Sequence, residues 1–258
     1  MSAAQPTLLS IHLLPAEAPR EVFAGSTTII VDVLRASTTI TAALAGGAPF
    51  IDAVATPQAA LDAAAVLSGG RSAAILGGER GGLRIEGFDL GNSPAEYTPQ
   101  RLQGRPVIFT TTNGTAAALH ASAAARLCFG CFANLSAIAA WARLTPAPIH
   151  ILCAGTNGRT SLDDALFAGA LAQQLLETSG SPPVAAADPD RIALFTGAWQ
   201  HARSQGLAAA LAQTRGGRGL VGLGFASDIE LAARIDTCTL VGQMNPSTGR
   251  INAWKPGS

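Results

Sequence analysis

Lysine is all but missing from this chain. Lys255 is the only one among 17 basic residues, so an anion held by the protein has to be met by arginine, whose planar donor fork suits phosphate and carboxylate. Charge of either sign is scarce: Asp, Glu, Lys and Arg make up 13% of the residues, and 17 acidic groups cancel the 17 basic ones. That balance gives no electrostatic reason for a nucleic acid or an anionic membrane as partner. No apolar run approaches the roughly 20 residues that span a bilayer. Residues 1–14 lack the basic start of an export signal. The four cysteines are Cys128, Cys131, Cys153 and Cys238. Cys128 and Cys131 form a CxxC, but it lies in a strand-like segment, and no second pair or nearby histidine completes a zinc site. Buried, reduced thiols are expected, and with them a cytoplasmic setting. His12, His120, His150 and His201 are scattered, and none pairs with a Ser or Cys motif. That pattern argues against a Ser-His-Asp hydrolase or a His-ligated zinc enzyme. No Walker loop and no dinucleotide-binding glycine fingerprint occurs.

What the chain has is apolar bulk, 48% of 258 residues, enough for one sizeable core. A single plan recurs: apolar strand, small polar turn, Ala-rich helix. Strands are expected at 26–33, 49–54, 73–76, 106–110, 126–132 and 149–153, with helices at 34–44, 57–67, 116–125, 136–144 and 161–177. The alternation predicts an α/β fold, a three-layer α/β/α stack around a mostly parallel sheet. Strands without a polar face agree, because parallel sheets are covered on both sides. Residues 77–99 read as a loop, 178–190 as a linker or surface loop, and 216–224 as a run of glycine turns. Helices are expected near 191–205, 208–214 and 227–234, and the tail at 237–258 as a strand or hairpin followed by loop. Residues 1–258 are read as one domain, with a possible break into two fused subdomains near 178–190.

The ends of three strands carry the polar residues. The first turn holds Asp32, Arg35, Ser37, Thr38 and Thr39. The second holds Thr110, Thr111, Thr112, Asn113, Gly114 and Thr115, and the third Gly155, Thr156, Asn157, Gly158, Arg159, Thr160 and Ser161. Each opens a helix, where free N–H groups and hydroxyls favour an anion. Ordinary helix capping would explain any one of them, and three together suggest a phosphate cradle at one sheet edge. Carboxylates accompany it. Asp32 ends an apolar strand and needs a cation or strong donors, which Arg35 could supply as a structural ion pair. Glu79 and Arg80 follow two glycines, Asp89 lies in GFDLGNSP, and Asp163 and Asp164 occupy a helix first turn. Oxygen ligands beside an anion cradle suit magnesium bridging to a phosphate.

The segments VDVLRASTTITAAL, LGGERGGLRIEGFDLGNSPAEY, TTTNGTAAAL, ILCAGTNGRTSLDDALFAGAL and LGFASDIELAARID closely resemble the 2-phosphosulfolactate phosphatase family, in that family's order, over residues 29–236. The resemblance implies a magnesium-dependent phosphatase, a homodimer by analogy. Its reaction would be hydrolysis of 2-phospho-3-sulfolactate to 3-sulfolactate, as in coenzyme M synthesis. The family's polar positions fall on Asp32, Arg35, Glu79, Arg80, Asp89, Asn92, Ser93, Thr111, Thr112, Asn113, Gly114 and Thr115, then Gly155, Thr156 and Asp164, with Asp228 and Asp236 further on. From these, Asp32, Glu79 and Asp164 are expected to hold magnesium. Thr111–Thr115 would cradle phosphate, Arg35 and Arg80 would offset charge, and Asp89 would act as general acid or base or would orient an arginine. Two departures stand out: Asp163–Asp164 replaces the family's Glu-Asp, and Val241–Gly242 stands where Val-Pro is usual. Alternatives are a phosphatase for another small phosphorylated hydroxy acid, a phospho-metabolite binding module, or a magnesium lyase acting on a phospho-acid.

Overall fold

The computed structural model describes residues 5–178 and 182–256; residues 1–4, 179–181 and 257–258, in the N-terminal segment, the expected linker and the tail, lie outside the described residues. The first half runs β1 (Thr7–His12), β2 (Thr27–Val31), α1 (Ala36–Ala45), β3 (Ile51–Ala53), α2 (Pro57–Ala65), β4 (Ile75–Arg80), β5 (Leu83–Arg84), α3 (Pro99–Leu102), β6 (Val107–Thr110) and α4 (Gly114–His120). Then come β7 (Arg126–Gly130), α5 (Leu135–Ala142), β8 (Ile149–Cys153), α6 (Leu162–Glu177), β9 (Val184–Ala186), α7 (Pro189–Gln205), α8 (Leu207–Gln213), α9 (Arg215–Gly222), α10 (Ala226–Ala232), β10 (Val241–Met244) and β11 (Arg250–Trp254).

The strands form one 11-stranded sheet, ordered β5-β4-β6-β3-β11-β10-β7-β2-β8-β1-β9. It is mixed and mostly parallel, with helices on its faces, in keeping with a three-layer α/β/α stack. Two blocks are parallel within themselves: β4, β6 and β3 in one, β7, β2, β8, β1 and β9 in the other. The antiparallel hairpin β10–β11 joins them, pairing with β7 on one side and β3 on the other. Three successive antiparallel pairings make the blocks run opposite ways, which the sequence pattern did not reveal. Twist reconciles this with a shared site. The pairings from β6 across to β2, at about 20–25° each, turn the strand direction by roughly 100–125°. The carboxyl ends of both blocks thereby swing together, so that a Cβ on Gly114, beyond β6, would fall 2.9 Å from Asp32 Oδ2, beyond β2.

One core draws on both blocks and on α1 and α4, through Ile30, Ile40, Phe109, Ala117, Phe129 and Ile251. A second sets α5, α6 and α7 against the longer block, with Val31, Trp141, Ile151, Phe167 and Trp199. A small third one packs Ala60 and Ala64 of α2 on Leu76 and Ile108. The close contact of α6 and α7 depends on Gly169, where a Cβ would lie 2.2 Å from the Phe195 carbonyl oxygen. Gly169→Ala is therefore expected to cost about 1–3 kcal/mol through overpacking, outweighing the ~1 kcal/mol that Ala gains over Gly inside a helix. Urea unfolding checks the sign, and a stabilised variant would contradict the close approach.

Several expectations change. β1 forms where no element was assigned, and it pairs with β8. β4 continues through Gly77 and Gly78 to Arg80 instead of ending at 76. These glycines mark close backbone approach: a Cβ on Gly78 would meet the Thr110 oxygen at 2.0 Å, and one on Gly77 the Tyr97 hydroxyl at 2.2 Å. The segment read as linker contains β9, an edge strand paired with β1. The glycine run is the helix α9, started by Thr214, whose hydroxyl accepts from Gly217 N at 2.9 Å. The tail is the hairpin β10–β11. All four cysteines are free. Among the described residues, no helix is long and apolar enough to cross a membrane.

Candidate active site

A cleft of about 650 Å³ opens where the two blocks' strand ends meet. Asp32, Leu34 and Arg35 of the first turn line it, with Glu79, Gly81 and Gly82 from the β4–β5 corner and Asn92 beside them. Thr112 and Asn113 come from the second turn; Thr156, Asn157 and Arg159 come from the third. The remaining wall is α9, through Arg215, Gly216, Gly219 and Leu220, with Leu223 just beyond it.

The first turn is closed by its own hydroxyls. Asp32 N donates to Ser37 Oγ (3.0 Å), Thr38 Oγ to the Val33 carbonyl (2.8 Å) and Thr39 Oγ to the Asn92 carbonyl (2.9 Å). These groups build the turn rather than facing a ligand. Arg35 does not pair with Asp32. Its Nη1 donates to Asp228 Oδ2 (2.7 Å) and its Nη2 to the Gly82 carbonyl (2.5 Å), with the guanidinium 4.5 Å over the Phe225 ring. Ser93 donates to the other oxygen of Asp228 (2.6 Å) and does not line the cleft.

Asp32 is therefore a buried carboxylate beside other carboxylates, without a cationic partner among the described residues. Burial, then the charge of Asp163, with a further contribution from Glu79, push its pKa up to about 7, against the opposing hydrogen bonds from the Ala36 and Gly114 N–H groups. Burial raises Asp163 as well. It raises Asp164 well above the usual carboxylate range, with Asp163 and Asp32 adding to the effect. Glu79 bridges two corners, accepting from Thr112 N (2.9 Å) and Gly82 N (2.8 Å).

Several expected positions take other places. Asp164 does not line the cleft; its oxygens accept from Val33 N (2.9 Å) and Gly155 N (3.0 Å), tying the first turn to the third. Arg80 points away, donating to the Glu79 and Ala55 carbonyls and to Thr110 Oγ (3.0 Å). Asp89 is held by Arg71 (2.8 Å) and Leu76 N (2.8 Å) and does not line the cleft, so the structure gives it no place as general acid or base. Of the 111–115 cradle only Thr112 and Asn113 reach the cleft, because Thr111 and Thr115 bond each other inside the fold (2.7 Å). Gly155 is fixed by φ +66° and by crowding: a Cβ there would lie 2.4 Å from Leu14. Asp236 caps Ser136 N (2.7 Å). Conversely, Arg215, Gly216 and Gly219 belong to the wall although their glycines look like turn residues. The signal lay in Thr214, a capping residue directly before them. Asn157 and Arg159 had been placed in the third turn, and Asn157 N donates to Asn113 Oδ1 (3.1 Å), locking that turn to the second.

Among the described residues, no three His, Cys, Asp or Glu side chains converge as a ready-made metal cage. The cleft instead offers Asp32, Glu79 at its rim, polar turn groups and three arginines, a composition suited to a small polyanion.

Residues 12–246 match the family model described as 2-phosphosulpholactate phosphatase. A protein of Symbiobacterium thermophilum named "Probable 2-phosphosulfolactate phosphatase" is 37% identical over 228 residues, covering 86% of this chain and 93% of its own length. A Synechococcus protein of the same name is 39% identical over 249 residues, covering 95% and 99%. A namesake in Caldanaerobacter subterraneus reaches 41% over a shorter stretch of 147 residues, 57% of this chain and 60% of its own. With the family match spanning most of the sequence and two of these relatives aligned along nearly all of theirs, the chain belongs to the 2-phosphosulpholactate phosphatase family.

Proposed function

We propose that the cleft hydrolyses the phosphate ester of a small hydroxy acid, with 2-phospho-3-sulfolactate as its substrate and magnesium as its cofactor. The observation that carries this is Asp32: a buried carboxylate with raised proton affinity and no cationic partner among the described residues, facing a cleft that also presents arginines. Water adds to phosphorus, the ester P–O bond breaks, and the hydroxy acid leaves with its hydroxyl restored. Such a reaction needs positioning and neutralisation of the phosphoryl oxygens more than covalent help from the protein.

Magnesium usually keeps several waters and uses one or two carboxylates plus substrate phosphate, and Asp32 with Glu79 fits that mode. Asp164 does not, since it lies off the cleft and ties the first turn to the third through Val33 N and Gly155 N. Bound there, the metal would supply positive charge to the phosphoryl oxygens and a more acidic water. The chain's own groups do the rest. Asp32 would hold the cation, Glu79 keeps the 79–82 and 112 corners together, and Thr112 and Asn113 would border the phosphate. Arg35 presents its guanidinium with its plane fixed by Asp228 and Phe225. Reduced cysteines support a cytoplasmic enzyme, and a homodimer remains part of the reading by family analogy. A role in coenzyme M synthesis stands or falls with the substrate.

Phosphate release from racemic 2-phospho-3-sulfolactate, with magnesium and then with EDTA, tests this beside phospholactate, phosphoglycolate and phosphoglycerate. Magnesium-dependent release favouring the sulfonate is expected. Preference for another acid would keep the phosphatase and discard the substrate. Substrate loss without phosphate would indicate a lyase, and no consumption by a folded, magnesium-loaded protein would indicate a binding module.

A further inference from the structure

The outer wall of the cleft carries two cations that this chemistry leaves unassigned. Arg159, in the turn after β8, is exposed and lines the cleft. Among the described residues its guanidinium makes no hydrogen bond or ion pair. Arg215, at the first position of α9, is held beside it, Nη2 donating to the carbonyls of Thr156 (3.3 Å), Arg159 (3.5 Å) and Thr160 (3.3 Å). Those acceptors are neutral, so they orient the guanidinium without cancelling its charge. Arg35, by contrast, is paired with Asp228. Next to Arg215 the cleft is lined by Gly216 and Gly219; a Cβ on Gly219 would meet nothing within 4 Å, and one on Gly216 would lie 3.3 Å from Asp163 Oδ1. The same cleft carries Asp32 and Glu79, which repel a second anionic group that no cation screens.

We propose that Arg159 and Arg215 form a second anion subsite, which holds the oxyacid group of the substrate remote from its phosphate and thereby selects the hydroxy acid that is hydrolysed. The proposal rests on the phosphatase reading above. With the phosphate bordered by Asp32, Thr112 and Asn113, the unneutralised cations of the same cleft are left for a second anionic group. A sulfonate or carboxylate tail gains charge-assisted hydrogen bonds there. A methyl tail gains none.

The test compares kcat/KM for 2-phospho-3-sulfolactate and for 2-phospholactate, which has a methyl in place of the sulfomethyl group. The proteins are the unaltered enzyme and Arg159→Ala, whose side chain supports nothing else in the fold. Arg215→Lys, with its melting temperature recorded, adds a variant that keeps the charge and loses the fork. Arg159→Ala is expected to cut the preference for the sulfonate about 10- to 100-fold, the worth of one charged hydrogen bond, mostly through KM, with a far smaller change for phospholactate. Equal loss for both substrates, or no loss for either, overturns the subsite while the phosphatase stands. Release from neither substrate by the unaltered enzyme overturns the phosphatase reading, and the subsite with it.

Discussion

Asp32→Asn is expected to lower turnover by about 10³-fold or more, within the range seen when a charged group acting on the reacting centre is removed, and to leave the fold at least as stable. Both halves follow from where the carboxylate sits. It is buried at the end of β2, Arg35 of the same turn is engaged by Asp228, and Asp163 and Glu79 add negative charge around it. A neutral amide of the same shape keeps an acceptor for the Ala36 N–H and removes the repulsion. The pH dependence has a fixed sign. A carboxyl with pKa about 7 in the fold and 3.8 unfolded binds more protons when folded between those values, so stability is lost as pH rises through that window. Melting temperatures in EDTA should thus fall from pH 5 to pH 8, and Asp32→Asn should flatten the slope. Asp163 and Asp164, raised in the same direction, leave some slope behind. Magnesium should restore more at pH 8 than at pH 5. An Asn variant that is inactive because it unfolds would make Asp32 a structural residue instead.

The second large effect is expected at Asp228. Its carboxylate is fully buried and satisfies Arg35 on one oxygen and Ser93 on the other. Removing one partner of a buried ion pair strands the other, at a cost of about 3–5 kcal/mol, so Asp228→Asn should lose that much in urea unfolding. Asp52→Asn is the control. Its Arg250 partner is 44% exposed, and an exposed pair is worth about 1 kcal/mol or less. Phosphate release should also suffer in Asp228→Asn, because Arg35 loses the group that fixes its plane at the cleft. Equal costs for the two variants would show that the buried pair anchors nothing.

Strand ends were legible because 27–31, 107–110 and 149–153 are rich in apolar residues and run into small polar turns. That placed Asp32, Thr112, Asn113 and Thr156 at the cleft from pattern alone. Glycine was the main source of error. Gly77 and Gly78 read as loop but let β4 pass close to Thr110 and Tyr97, and Gly216 and Gly219 read as turns but lie in a capped helix. The misplaced polar residues share a different cause. Asp164, Arg80 and Asp89 look like site residues by type and position, yet their partners are groups such as Val33 N, Thr110 Oγ and Leu76 N, distant along the chain. A buried carboxylate bound to two N–H groups and one bound to a ligand are written with the same letter. The opposed direction of the two parallel blocks was likewise out of reach, since it is set by the pairing partners of a hairpin nearly two hundred residues from β3.

That hairpin has a bearing on biosynthesis. Glu79, Thr112 and Asn113 descend from one block, Asp32, Thr156 and Asn157 from the other, and β10–β11 is the ladder between the two blocks. A nascent polypeptide still short of Trp254 has both halves of the cleft translated and no finished sheet to hold them face to face. Long-range pairing of this kind is slow to form, and until it does the facing edges of β3 and β7 offer unpaired backbone to any neighbouring chain. The two halves of the cleft are thus joined only once the hairpin is in place, and a chain without it is expected to aggregate through those edges rather than act as a weaker enzyme.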